Sequence, residues 1–210
     1  MAKLLMIALN LKDLVRYAGG TAGRYSKEGY EVYAVAVCEK ETERSAETVS
    51  ALGLKSCEYL DLSLPLDVNS VLSDRLASVI RRIRPDRIIT YSKYDDPSHP
   101  SHSSVRDYAM TAYQTASGAG YRDGQAVSPR QTPFFGFVCG NEKPDFYLSI
   151  DSGIDSKKKA AINEGINEGE ILADAVLSAA VSDHAGSVSC QYAERFTAFG
   201  ASAKTGRFVW

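Results

Sequence analysis

Histidine is scarce in this chain, with three in 210 residues beside one tryptophan and four cysteines. The cysteines (Cys38, Cys57, Cys139 and Cys190) are far apart, and no two stand at C-x-x-C spacing. That argues against a zinc ribbon or a disulfide framework. Cys38 and Cys139 sit in apolar runs and read as core thiols. No apolar run approaches the length of a membrane span, so no membrane partner is expected. The run inside "MAKLLMIALNLKD" is too short for a secretion signal with its cleavage site, and a cytoplasmic location is the expectation. Excess positive charge is missing too. A formal net charge of -2 argues against a nucleic-acid partner, and "RRIR" (81–84) reads as the basic last turn of a helix.

What is present is the composition of a globular chain, 44% hydrophobic and 24% charged, which suits one domain over residues 1–210 with a real core. "KLLMIALN" (3–10) is a short apolar run ending in a polar residue, the pattern of a buried first strand. Helical spacing follows over 11–28, interrupted by "GG" at 19–20. "YEVYAVAVC" (30–38) and "CEYLDL" (57–62) read as strands around a helix over 41–54. An amphipathic helix over 67–85 ends at Pro85, and "DRIITYS" (86–92) is a fourth strand. A helix over 104–117, a rim loop over 118–133, two strands ("FFGFVCG", "DFYLSI") and one long helix over 155–183 complete the reading. The repeated "INEGINEGE" falls inside that last helix as a small local duplication.

Strand–helix alternation of this kind predicts an α/β, Rossmann-like, mostly parallel sheet with helices on both faces. Ligands of such sheets gather at the carboxyl ends of the strands. The ends of strands one and four therefore belong to one crevice. The fourth strand runs into "YDDPSHPSH", where Asp95, Asp96, His99 and His102 crowd together as in a metal or acid–base site.

These residues carry a resemblance. "IRPDRIITYSKYDDPSHPSHSSVRDYA" looks like the R-P-D strand, aspartate loop and H-P-D-H helix start of the LmbE-like, or PIG-L, family of zinc-dependent N-deacetylases. "GGT" (19–21), "RSAETVSALGL" (44–54) and "QYAERF" (191–196) are similar to further signatures of that family, in the same order. The resemblance implies amide hydrolysis on N-acyl amino sugars or their conjugates. It also implies a single LmbE-like domain and a small amino-sugar-like ligand. It leaves an oligomer open.

The family's first strand ends in A-H-P-D-D-E, where the His and second Asp bind zinc and the first Asp is the general base. Aligned without gaps, Asn10 stands at the His, Lys12 at the base, and Asp13 keeps the second Asp. His102 matches the third zinc ligand, and His99 an imidazole that assists the tetrahedral intermediate. Asp13 and His102 are then two good ligands, and Asn10 is a poor third. A Lys12 ammonium about 4 Å from the metal would repel it by about 4 kcal/mol at an effective dielectric of about 20. Zinc is therefore expected to be weak or absent, and deacetylase activity reduced, altered or lost.

If activity persists, Asp95 or Asp96 replaces the base. A different reaction, with Lys12 as acid or nucleophile, is a further reading. The alternative to an enzyme is a non-catalytic sugar-binding or interaction protein on the same fold. Asn10, Lys12, Asp13, His99 and His102 are expected to line one pocket, with Lys12 turned toward an acidic partner. Arg44 matches a sugar-contacting position, although an Arg on a helix is more often a solvated charge. Asp67 matches a substrate-contacting Asp, or it caps the following helix. His184 suits the end of the long helix, and "PFFGF" (133–137) suits a core strand.

Overall fold

The computed structural model describes residues 1–66, 70–92, 99–118, 132–140, 143–184 and 189–199. Strand and helix alternate through β1 (Lys3–Ala8), α1 (Leu11–Lys27), β2 (Glu31–Ala36), α2 (Glu43–Leu52), β3 (Ser56–Tyr59), α3 (Ser70–Ile83), β4 (Arg87–Tyr91) and α4 (Pro100–Ser117). The second half holds β5 (Phe134–Phe137), β6 (Phe146–Ser149), α5 (Ile154–Asn163), α6 (Glu168–His184) and β7 (Ala193–Phe199).

The strands form one sheet in the order β3-β2-β1-β4-β5-β7-β6. Pairs from β3 to β5 are parallel, and β7 is antiparallel to both β5 and β6. This is the expected α/β fold with a mostly parallel sheet. Helices α1, α2 and α5 pack as one group, and α3 packs on α4. The central strand β1 is buried from Leu4 to Ala8, which is why its sequence is a continuous apolar run rather than an alternating one. "PFFGF" supplies the buried β5, as expected of a core strand. No helix among the described residues is long and apolar enough to cross a membrane.

Three expectations need correction. First, the long helix over 155–183 is two helices. Gly165, at φ 63°, ends α5: its N–H reaches Ile162 O at 3.1 Å, and Ile166 N–H reaches Ala161 O at 2.9 Å. That is a Schellman stop, and "INEGINEGE" straddles it. Second, α1 runs through "GG" without a break. Its glycines serve close approach instead, since a Cβ on Gly20 would lie 2.8 Å from Ile150 Cβ. Third, Cys38 and Cys139 are half-buried at strand ends rather than enclosed in the core. The rim segment 118–133 lies largely outside the described residues, and so does the side chain of His184.

The strand β7 was not expected at all, and it carries a charge into the interior. Glu194 Oε1 accepts Gly20 N–H (2.9 Å) and Lys157 Nζ (2.6 Å), while Oε2 accepts Thr21 N–H (2.8 Å) and Thr21 Oγ1 (2.6 Å). Lys157 Nζ also donates to Arg16 O at 2.8 Å. In a regular helix the Gly20 N–H and the Arg16 carbonyl would bond to each other. Here a buried ion pair from α5 and β7 takes up both groups. The "GGT" and "YAE" stretches are thus one structural unit, which fixes the helix whose first turn carries Asp13.

Candidate functional site

The parallel pairing of β1 with β4 brings Leu9, Asn10 and the start of α1 beside Tyr91, the last residue of β4. Asn10 is the N-cap of α1: its Oδ1 accepts Asp13 N–H at 2.8 Å. Asn is among the best residues at this position, because it satisfies an amide that the helix cannot. Tyr91 Oη accepts Leu9 N–H at 2.9 Å and donates to Asp13 Oδ2 at 2.6 Å. The same carboxylate oxygen lies 3.4 Å from His102 Nε2.

The imidazole of His102 is buried and stacks on Tyr91, with centroids 4.1 Å apart. His99, exposed at the N-cap of α4, stacks on the outer face of His102 at 5.0 Å. Asp13, Tyr91, His102 and His99 thus form a column from the sheet to solvent. Burial holds the Tyr91 phenol well above its ordinary range, and the Asp13 charge and hydrogen bond add to that. Tyr91 therefore stays a proton donor toward Asp13. Replacing it by Phe orphans the buried Leu9 N–H, at a cost of about 1–3 kcal/mol. A lowered urea midpoint for Tyr91→Phe with unchanged m-value is the expected result, and an unaltered midpoint would contradict this hydrogen-bond assignment.

Lys12 sits beside Asp13 in the chain but not in this column. It is exposed in the first turn of α1 and makes no ion pair among the described residues. Successive helical residues point about 100° apart, so the turn that directs Asp13 inward leaves Lys12 in water, where an ammonium needs no acidic partner. Arg44 is likewise exposed, in the first turn of α2. Asp67, Asp95 and Asp96 lie outside the described residues.

Sequence reasoning missed two groups. Tyr91 was read only as a strand residue, although a hydroxyl at the carboxyl end of strand four was the available signal. Glu39 follows β2, and its Oε2 accepts Leu11 N–H at 2.7 Å, at the amino end of α1. Burial raises the Glu39 carboxyl above its usual range; the Leu11 bond and Arg44 oppose the shift, while Glu164 and Asp13 add to it.

The metal that the resemblance implies can be tested against these donors. A catalytic zinc takes three protein ligands. The described residues bring together Asp13 and His102, whereas Asn10 Oδ1 is committed to capping α1. No group of three or more His, Cys, Asp or Glu able to hold a metal occurs among the described residues. Among the described residues, which leave out Asp95 and Asp96, this donor set is one ligand short of a catalytic zinc site.

The model of PIG-L, described as GlcNAc-PI de-N-acetylase, matches residues 11–113. That stretch carries a PIG-L, LmbE-like family domain. Solved structures agree on the fold. The 4-carboxy-2-hydroxymuconate hydratase GalB of Pseudomonas putida superposes with a TM-score of 0.85 at 22% identity, over 95% of this chain and 97% of that one. A conserved protein of Thermus thermophilus gives 0.79 at 23% identity, over 94% of each chain. The N,N'-diacetylchitobiose deacetylase of Pyrococcus horikoshii gives 0.76 at 17% identity, over 94% of this chain and 83% of that one. No curated protein matches by sequence.

Proposed function

We propose that this PIG-L-family protein binds a small amino-sugar-like ligand in the crevice at the ends of β1 and β4, with N-deacetylase activity reduced or lost. One observation carries the reading: the Asn10 carbonyl caps Asp13 N–H at 2.8 Å, so the position of the family's first ligand serves the helix instead. Lys12 adds a cation beside the same crevice, and a metal ion approaching it meets repulsion. Zinc, in a family member that binds it, supplies a nucleophilic water at neutral pH. In this chain Tyr91 orients Asp13, Asp13 faces His102, and His99 meets the ligand at the mouth. Asp95 or Asp96 would have to replace the general base for hydrolysis to persist.

Fold relatives include a hydratase as well as a deacetylase by name, so fold alone does not choose the reaction. The test pairs binding with turnover. N-Acetylglucosamine should bind detectably by calorimetry, while acetate release stays at background with or without added zinc. Zinc-dependent acetate release over many turnovers would overturn the reading.

A further inference from the structure

Helix α6 departs from the usual division of a surface helix into an apolar face and a polar one. Its inner side, with Ile171, Ala175, Ser178, Ala179 and Ser182, is buried. The opposite side carries Ala173, Val176, Leu177, Ala180 and Val181, all exposed. Spacings of three and four residues put these in one stripe. Leu177 is 64% exposed, Val176 49% and Val181 44%. Single exposed apolar residues are ordinary, whereas a continuous stripe marks a surface that something covers.

The chain itself holds a segment of matching chemistry. Residues 200–210, "GASAKTGRFVW", follow β7 directly and lie outside the described residues. They bring Phe208, Val209 and Trp210 in succession, with Lys204 and Arg207 and no acid. Helix α6 has the opposite charge, with Glu168, Glu170, Asp174 and Asp183 and no Lys or Arg. The first three acids pair with Lys158, Arg16 and Arg195. Asp183 is exposed and has no ion pair among the described residues, and it follows Val176 by two helical turns on the edge of the stripe. A second copy stacked α6 on α6 offers Asp183 no base, since that helix has none.

Reach permits the contact. Arg195 on β7 meets Asp174 on α6 at 3.0 Å, and β7 ends at Phe199. At about 3.3 Å per strand residue, Phe199 lies about 13 Å along β7 from that anchor. The stretch from Phe199 to Phe208 can extend about 30 Å, more than the way back. Leu177 lies one turn beyond Asp174. We infer that Phe208, Val209 and Trp210 fold back onto the outer stripe of α6, with the basic residues before them facing Asp183. The segment is then a strap that clamps α6 over β7, the strand whose Glu194 holds α1. This inference is independent of the reading of the crevice.

Trp210 is the only tryptophan of the chain, so its fluorescence reports the contact in the full protein. The expected emission lies to the blue of that in concentrated urea, with acrylamide quenching suppressed. Leu177→Glu should move the emission to the red. It should also speed tryptic cleavage after Lys204 or Arg207 roughly tenfold, because proteolysis follows the open population. Val181→Glu repeats the test should Leu177→Glu fail to fold, with melting temperature checking each variant. Ile162→Glu, at a 65% exposed position on α5, should leave both readouts as in the parent. Shielding that persists on dilution and falls only in the α6 variants supports the strap. Parent emission equal to that of the unfolded chain overturns it, as does shielding untouched by the α6 variants or equally reduced by Ile162→Glu. Shielding lost on dilution also overturns it, and gives the stripe to a second copy instead.

Discussion

The double change Asn10→His with Lys12→Asp should convert a weak or absent zinc site into a tight one. His at 10 returns an imidazole to the carboxyl end of β1, beside Asp13 and 3.4 Å-paired His102. Asp at 12 replaces a cation by an anion in the first turn of α1, where the helix dipole favours negative charge. Asp13 need not give up Tyr91. That bond and the His102 contact both use Oδ2, so the tyrosine can act as the orienting outer partner typical of metal-ligating carboxylates. The loss of the Asn10 cap costs about 1 kcal/mol of stability, which metal binding more than offsets. Calorimetry should show zinc affinity at least about 100-fold above the parent, about 2.8 kcal/mol. No gain would mean that the gapless register of the first strand on the family motif is wrong.

Glu194→Ala should be the most damaging single substitution in the fold. It removes four hydrogen-bond acceptor contacts at once and leaves the Lys157 ammonium buried without its carboxylate. Breaking a buried ion pair by deleting one partner costs about 3–5 kcal/mol, a large share of the roughly 5–15 kcal/mol that holds a domain together. Urea unfolding should show a loss of that size, or no folded protein at 37 °C. Lys157→Met combined with Glu194→Gln should recover at least half of it, because the amide still accepts from α1 and no charge is stranded. A Glu194→Ala protein within about 1 kcal/mol of the parent would remove the pair from its structural role.

Much of the sheet was legible because its strands are short apolar runs between amphipathic helices, and that alternation admits few topologies. The meeting of Asp13 with His102, across a sequence gap from α1 to α4, followed from topology alone. What failed to read did so for identifiable reasons. The strand β7 hides its identity behind Glu194, a charge at a buried position whose partners are 37 and 174 residues away in sequence. The break between α5 and α6 depends on Gly165 adopting a left-handed conformation, which an otherwise helical "INEGINEGE" does not announce. Asn10 was read only as a poor metal ligand, although an Asn before an apolar helical run is also a cap signal.

The central claim is that the crevice lacks a working metal site, and elemental analysis tests it most directly. The full chain is purified with zinc added throughout, dialysed against a chelator and measured for metal per protein. The account predicts far less than one zinc per chain. One zinc per chain that survives the chelator would contradict it, and would return the crevice to metal-dependent amide hydrolysis.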